Sequence, residues 1–338
     1  MSDKVLLDYG SGGKASQRLI SELFMRAFDN PELRRTNDGA VLSVAGRISV
    51  STDTFTVDPP FFPGGDIGAL AVHGTVNDVA MMGAVPKYLT CGFLIEEGLP
   101  MSELERIVES MGKAAREAGV LIVTGDTKVV PKGAADKIFI NTTGIGEIIV
   151  DPAPSGDRAA PGDAILISGT VGDHGLAILS TRQGLSFDTP IVSDCANLNH
   201  LIVKLLRGLP DVHVLRDPTR GGLATTLNEI ASSSCVTCEI EEEAIPVRPE
   251  VRGGCSFLGL DPLYLANEGK FLCILPEAQA EAALAIMHAD PLCTGAKRIG
   301  TVQANEKPDS PGRVLLKTGL GGKRLLGMLE GEQLPRIC

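Results

Sequence analysis

Fourteen consecutive residues near the centre of this 338-residue chain, VDPAPSGDRAAPGD from Val150 to Asp163, cannot continue a helix or lie inside a sheet. Three prolines fix φ and lack an amide donor, and two glycines loosen the backbone between them. Such a stretch reads as a linker or surface loop. It leaves about half of the chain on each side, long enough in each case to bury its own core. Two domains are therefore expected, 1–155 and 156–328, followed by residues 329–338, LEGEQLPRIC, as a flexible tail.

Helix and strand patterns alternate on both sides of the break. Leu19, Ile20, Leu23, Phe24, Ala27 and Phe28 recur at three-and-four spacing, as do Leu104, Ile107, Val108, Met111, Ala115 and Ala118. Short strand patterns begin at Arg47, Pro86, Val120 and Lys137. After the break come a strand from Ala164, three helices through GDHGLAILSTRQG, LNHLIVKLLRG and GGLATTLNEIASS, a strand from Phe271, a helix through EAQAEAALAIMHA and a last strand near RVLLKTG. The fold class is α/β (α+β).

Charge and composition narrow the function. A net charge of −11 with no dense Lys/Arg run excludes a nucleic-acid partner, because a phosphate backbone needs a basic stripe. The start, MSDKVLLDYGSGGK, has no signal-peptide pattern and no apolar run reaches membrane-spanning length, so a cytoplasmic location is expected. Scattered cysteines in such a chain are reduced thiols. Cys91, Cys195, Cys255, Cys273 and Cys293 read as small buried hydrophobes. Cys235 and Cys238 have the spacing of half a zinc site, but the other half is missing.

Acidic residues stand at the ends of candidate strands at Asp53, Asp78 and Asp126, the last two preceded by Asn77 and Gly125. Three such carboxylates can converge on Mg-ATP, since magnesium takes hard oxygen ligands alongside substrate phosphates. The loop GSGGK contributes Gly12, Gly13 and Lys14 just before a helix pattern, where amides and an ammonium can cradle phosphate. It lacks the spacing of a Walker A loop. DPTRGG adds Asp217 as a further metal or water ligand and Arg220 as a phosphate-facing charge, and ANEGK adds Glu268. Cys338, alone on the last residue, is an oxidation liability unless the chain uses it.

Taken in order, GSGGK, STDTF, NDVAMMGA, TGDTKVV, DPTRGG and NEGK resemble the ATP-binding superfamily of aminoimidazole ribonucleotide synthetase, selenophosphate synthetase and thiamine-monophosphate kinase. Within it, FFPGGDIG, CGFLIEEGLP, SGTVGDHG and the terminal PRIC are similar to the HypE family of hydrogenase maturation proteins. The resemblance spans essentially the whole chain. It implies a two-domain aminoimidazole ribonucleotide synthetase-like fold, with residues 1–155 binding ATP and forming a homodimer through a barrel shared between amino-terminal strands.

The same resemblance implies the chemistry. A carbamoyltransferase partner, HypF, loads a carbamoyl group on Cys338. ATP then drives its dehydration to a thiocyanate, and a HypC and HypD complex accepts the cyanide on iron. Asp53, Asp78, Asp126 and Asp217 would hold Mg2+. Lys128 would contact the activated oxygen, and Glu268 would be the general base. The thiol itself is only weakly ionised at neutral pH, with the terminal carboxylate opposing ionisation and Arg336 partly offsetting it. A selenophosphate synthetase would carry a cysteine near the glycine-rich loop, and residues 1–13 contain none. A small-molecule kinase leaves PRIC unexplained, and a noncatalytic scaffold docking through its tail leaves the carboxylates unexplained.

Overall fold

The computed structural model describes every residue except 1, 12, 38, 186, 188, 306–309 and 330–335. Two short helices, α1 (Lys14–Leu19) and α2 (Met25–Phe28), are joined by a π-helical turn over Ile20–Phe24, and Leu19, Leu23 and Phe24 form their buried side. Then follow β1 (Ile48–Phe55), the short pair β2 (Phe61–Phe62) and β3 (Gly65–Asp66), α3 (Ile67–Met81), β4 (Ala84–Glu96), α4 (Met101–Ala118), β5 (Leu121–Val130) and β6 (Ile138–Ile148). The long strands form one sheet in the order β1-β6-β4-β5. Only β4 and β5 run parallel, as the crossover through α4 requires.

This sheet is covered on one side. Ser49 and Phe55 of β1 are buried toward α3, whereas Ile48 and Val50 on the opposite face are 45% and 58% exposed. The half-buried alternation explains why the sequence pattern located these strands. Helix α3 went unread because thirteen of its fifteen residues are buried, which leaves no polar face to mark a helical period. Asp78 is consequently not at a strand end, as the sequence reading had it, but in the last turn of α3.

Across residues 149–162 a second sheet begins. Its elements are β7 (Asp163–Ile167), α5 (Asp173–Gln183), α6 (Asn199–Gly208), β8 (Val214–Arg216), α7 (Gly222–Ser234), β9 (Thr237–Glu241), α8 (Pro249–Leu258), β10 (Leu272–Pro276), α9 (Ala280–His288), β11 (Lys297–Gln303), β12 (Arg313–Lys317) and β13 (Lys323–Leu325). The strand order is β13-β12-β9-β11-β7-β10-β8. Both faces are covered: Ile165 and Ile167 of β7 point into one apolar layer with α7, and Ala164 and Leu166 into another with α6 and α9. No described helix is long and apolar enough to cross a membrane.

Helix α3 belongs to both halves. Its middle packs on the first sheet, while Ala80 and Met81 are buried in the core of the second. Its approach to the first sheet depends on absent side chains in β6. A Cβ on Gly144 would lie 2.8 Å from Val79 Cγ2, and one on Gly146 would lie 2.5 Å from Val79 Cγ1 and 2.8 Å from the Val85 carbonyl oxygen. Gly146→Ala should therefore destabilise the protein by about 1–3 kcal/mol through overpacking, measurable as a lower denaturant midpoint. An unchanged midpoint would show that α3 can move off the sheet without penalty.

Candidate active site between the two sheets

The inner face of β1 and the last turn of α3 start the site. The Ser51 hydroxyl donates to Asp78 Oδ2 at 2.8 Å, and Arg220 Nη2 stands 3.9 Å from Asp53 Oδ1. Asp217 leaves the end of β8 and faces the same space. Burial and the neighbouring Asp78 push its carboxyl up to about 7. Asp78 is raised as well, by burial first and then by Asp53, against the pull of Ser51 and Arg220.

Glu268 completes the acidic group. It is 4% exposed, its Oε1 has no hydrogen-bond partner among the described residues, and burial together with Asp217, Asp194, Asp53 and Asp78 raises it well above the carboxylate range. The surrounding loops hold it there. Asp194 accepts from the amides of Glu268 and Gly269 at 3.1 and 3.2 Å, and Lys270 Nζ stands 3.8 Å from Asp194 Oδ2. Only glycine fits at 269, since a Cβ would lie 1.8 Å from the Asp194 carbonyl oxygen. Asn267 ties the two loops together by accepting from Gly172 N and donating to Pro218 O.

The end of the chain enters this space. Ile337 and Cys338, expected on a flexible arm, are 5% and 7% exposed and join the apolar cluster of the first sheet. The Arg336 carbonyl accepts from Arg182 at 2.6 Å, that of Ile337 from His174 Nε2 at 2.9 Å, and a terminal carboxylate oxygen of Cys338 from the Thr56 amide at 2.9 Å. Arg336 adopts φ +54°. Its guanidinium turns away from the thiol, donating to Thr56 O, pairing with Asp136 and lying over Phe139. Burial, and next Glu268, push the Cys338 thiol up to about 12; the countering charge is Arg220, not Arg336 as the sequence reading had it.

The remaining expected residues lie elsewhere. Asn77 is 1% exposed, and its amide bonds the main chain of Ala196 and Leu198, so it joins the domains and does not face a ligand. Gly125, Asp126 and Lys128 sit on β5, at the opposite edge of the sheet from Asp53, and three strand spacings make the separation about 14 Å. Asp126 and Lys128 pair with each other at 3.0 Å, and that bond lowers the Asp126 carboxyl. Within one chain they do not join the acidic group. They rim a cavity of about 220 Å³ whose apolar wall includes Tyr9, Phe24, Phe93 and Ile122. Gly13 caps α1 and Lys14 opens it nearby, both exposed; Gly12 lies outside the described residues.

Sequence reasoning missed Thr56, His174, Arg182 and Asp194, whose work is bonding to main chain. Cys195, read as a small buried hydrophobe, packs half-buried against the apolar cluster of the first sheet, its thiol 3.2 Å from His73 Nδ1 and raised by burial and by Glu268. Cys235 is exposed and Cys238 buried in β9, so they do not form a metal half-site. No three acidic, His or Cys side chains among the described residues stand close enough to enclose an ion. The acidic group nonetheless offers the hard oxygen donors that suit magnesium, including one buried oxygen without a partner.

Comparison with known proteins finds relatives over the whole length of the chain. Residues 36–148 match the amino-terminal domain, and residues 160–310 the carboxy-terminal domain, of the AIR synthase related proteins. The carbamoyl dehydratase HypE of Cupriavidus necator is 54% identical, the match covering 100% of this chain and 95% of the relative. A crystal structure of the hydrogenase maturation protein HypE in complex with ATP superposes with a TM-score of 0.96 at 67% identity, covering 98% of this chain and 99% of that one. HypE in a HypE–HypF complex gives 0.80 at 50% identity, with 92% and 99% covered.

The crowded carboxylates carry a pH signature. An unfolded Asp ionises near 3.9, whereas Asp217 folded holds its proton to about 7, so the folded state binds more protons between these values. Its contribution to stability therefore falls as pH rises through that window. In metal-free buffer the melting temperature of Asp217→Asn should gain on that of the parent protein from pH 5 to pH 8. A constant difference would rule out a raised Asp217.

Proposed function

Because the chain belongs to the HypE carbamoyl dehydratases, hydrogenase maturation proteins built from the two AIR synthase related domains, we propose that it converts an S-carboxamide on Cys338 to a thiocyanate at the expense of ATP. The observation carrying this reading is the burial of the terminal thiol in the acidic pocket, with Glu268 the foremost charge acting on it. An amide oxygen is a poor leaving group. Phosphorylation makes it a good one, and loss of the N–H protons then closes the carbon–nitrogen triple bond. Glu268, with an unpartnered oxygen, takes a proton from the nitrogen.

Magnesium, held by Asp53, Asp78 and Asp217, would neutralise phosphate charge. By the same neutralisation it would let Glu268 ionise, since the carboxylates that raise Glu268 are those a cation would balance. The docked thiol is a poor nucleophile at about 12, so loading belongs to an undocked tail on a separate carbamoyltransferase. The HypE–HypF complex of a 50% identical relative supports HypF in that role. A HypC and HypD complex would take the cyanide. The docked conformation would then serve dehydration alone, with water excluded from the reactive carbon.

A homodimer joined through the uncovered faces of the first sheet would resolve the separation of the two acidic centres. Asp126 and Lys128 of one copy would meet Asp53, Glu268 and Cys338 of the other, and the cavity beside β5 would take the nucleotide base. The glycine-rich loop with Lys14 would close over the phosphates.

Two experiments follow. Incubation with the carbamoyltransferase should add about 43 Da at Cys338, and Mg-ATP should then remove about 18 Da, with Glu268→Gln stopping after the first change. Carbamoylation mapped to another cysteine, or thiocyanate formed by Cys338→Ala, would overturn the assignment. Separately, Lys128→Ala and Cys338→Ala, each inactive alone, should regain activity when mixed and allowed to exchange subunits, because one hybrid site is whole. Failure to complement in a verified heterodimer would place Lys128 outside a shared site.

A further inference from the structure

Two consecutive carbonyls and the terminal carboxylate at the end of the chain are each held by the body of the protein. Arg182 Nη2 and the Asp58 amide donate to Arg336 O at 2.6 and 3.3 Å. His174 donates from Nε2 to Ile337 O at 2.9 Å, and the amide and hydroxyl of Thr56 donate to Cys338 O at 2.9 and 3.2 Å. The His174 tautomer is fixed from behind. With the proton on Nε2, Nδ1 accepts from the Ser193 hydroxyl at 2.8 Å, and Ser193 Oγ in turn accepts from Cys195 N at 3.1 Å. His174 is fully buried, and burial lowers its basicity, which keeps the ring neutral as this pattern requires.

Side chains of the tail contribute less. Among the described tail residues Arg336 alone forms polar side-chain contacts, to Thr56 O and Asp136, while Ile337 and Cys338 rest against apolar residues. Every one of these bonds would form with a peptide that had no covalent link to residue 335. From this we infer that the groove between α5 and residues 56–58 is a receptor for a carboxy-terminal tripeptide, which reads its main chain together with one arginine. It therefore accepts the reacting group in trans, from a separate peptide ending in Arg-Ile-Cys.

The inference deepens the function proposed above and takes its chemistry from that reading. The carboxamide oxygen leaves on the γ-phosphoryl group. The two N–H protons leave as well, one finishing on phosphate and one in solvent by way of Glu268. The products are the S-cyano peptide, ADP and phosphate, with no change of oxidation level overall. His174 and Arg182 are positioning residues, since they touch the carrier and not the reacting carbon.

The test uses the full-length chain with Arg336→Glu and Cys338→Ser, whose own tail is repelled by Asp136 and cannot react. The binding probe is fluorescein-Leu-Pro-Arg-Ile-Ser with a free carboxylate. Saturable binding is expected, weakened about tenfold by adding His174→Ala and, as a less buried alternative, Arg182→Met, with ATP affinity retained in both. Absence of peptide binding up to millimolar concentration with ATP binding intact, or equal affinity in both positioning variants, would overturn the receptor. The S-carbamoyl form of Leu-Pro-Arg-Ile-Cys, given Mg-ATP, should lose about 18 Da. If a carbamoylated native tail is dehydrated and the bound peptide is not, delivery in trans is wrong. If neither is dehydrated while the fluorescent peptide binds as described, the dehydratase reading fails and the receptor stands.

Discussion

Like charge crowded out of water is the constraint on which the rest of this structure depends. Asp78, Asp217 and Glu268 are each raised by burial and by neighbouring carboxylates, Asp53 among them, and the guanidinium facing Asp53 is 3.9 Å away. Left alone, such carboxylates would separate or turn toward solvent. They are prevented by packing that ends in both cores. Helix α3 is buried along nearly its whole length, and Asp194 and Asn267 fix the loops opposite by bonding to main chain. The site is thus unfavourable in isolation, and on the proposed function cations and phosphates would make it favourable, the electrostatic preorganisation that phosphoryl transfer requires.

Much of the fold was legible because half-buried strands announce themselves. The alternation along β1, β4 and β6 and the helical period of α4 come from one wet face and one dry face, a difference written in residue type. Helix α3 has no wet face, so its sequence carries no period, and Asp78 was assigned to the wrong kind of element. The carboxylates Asp53, Asp78, Asp217 and Glu268 stood out as acidic residues beside apolar runs. Asp126 and Lys128 look the same in sequence, because linear order says nothing about which edge of a sheet a strand occupies.

The groove for the tail was invisible for a different reason. Thr56, His174 and Arg182 recognise main-chain oxygens, which every residue possesses, so no complementary pattern exists in the sequence to betray them. Asp194 escaped notice in the same way, spending its carboxylate on two amides. Side chains that bind main chain are among the hardest functional residues to find by type alone. Their legibility begins only when coordinates show what lies opposite.

The backbone of Arg336 has a consequence for how long the tail stays. A left-handed conformation at a residue with a Cβ costs about 1–2 kcal/mol, and here φ is +54°. The docked terminus is therefore cocked. Clamps on two carbonyls and the terminal carboxylate, with one ion pair, hold it against a torsion that relaxes as soon as the chain swings out. On the proposed function, a carrier that must leave one pocket for another would gain from such a bias, because strain raises the departure rate without weakening the contacts that define where the thiol points. Residence becomes brief and placement stays accurate, two properties that tighter binding alone would set against each other.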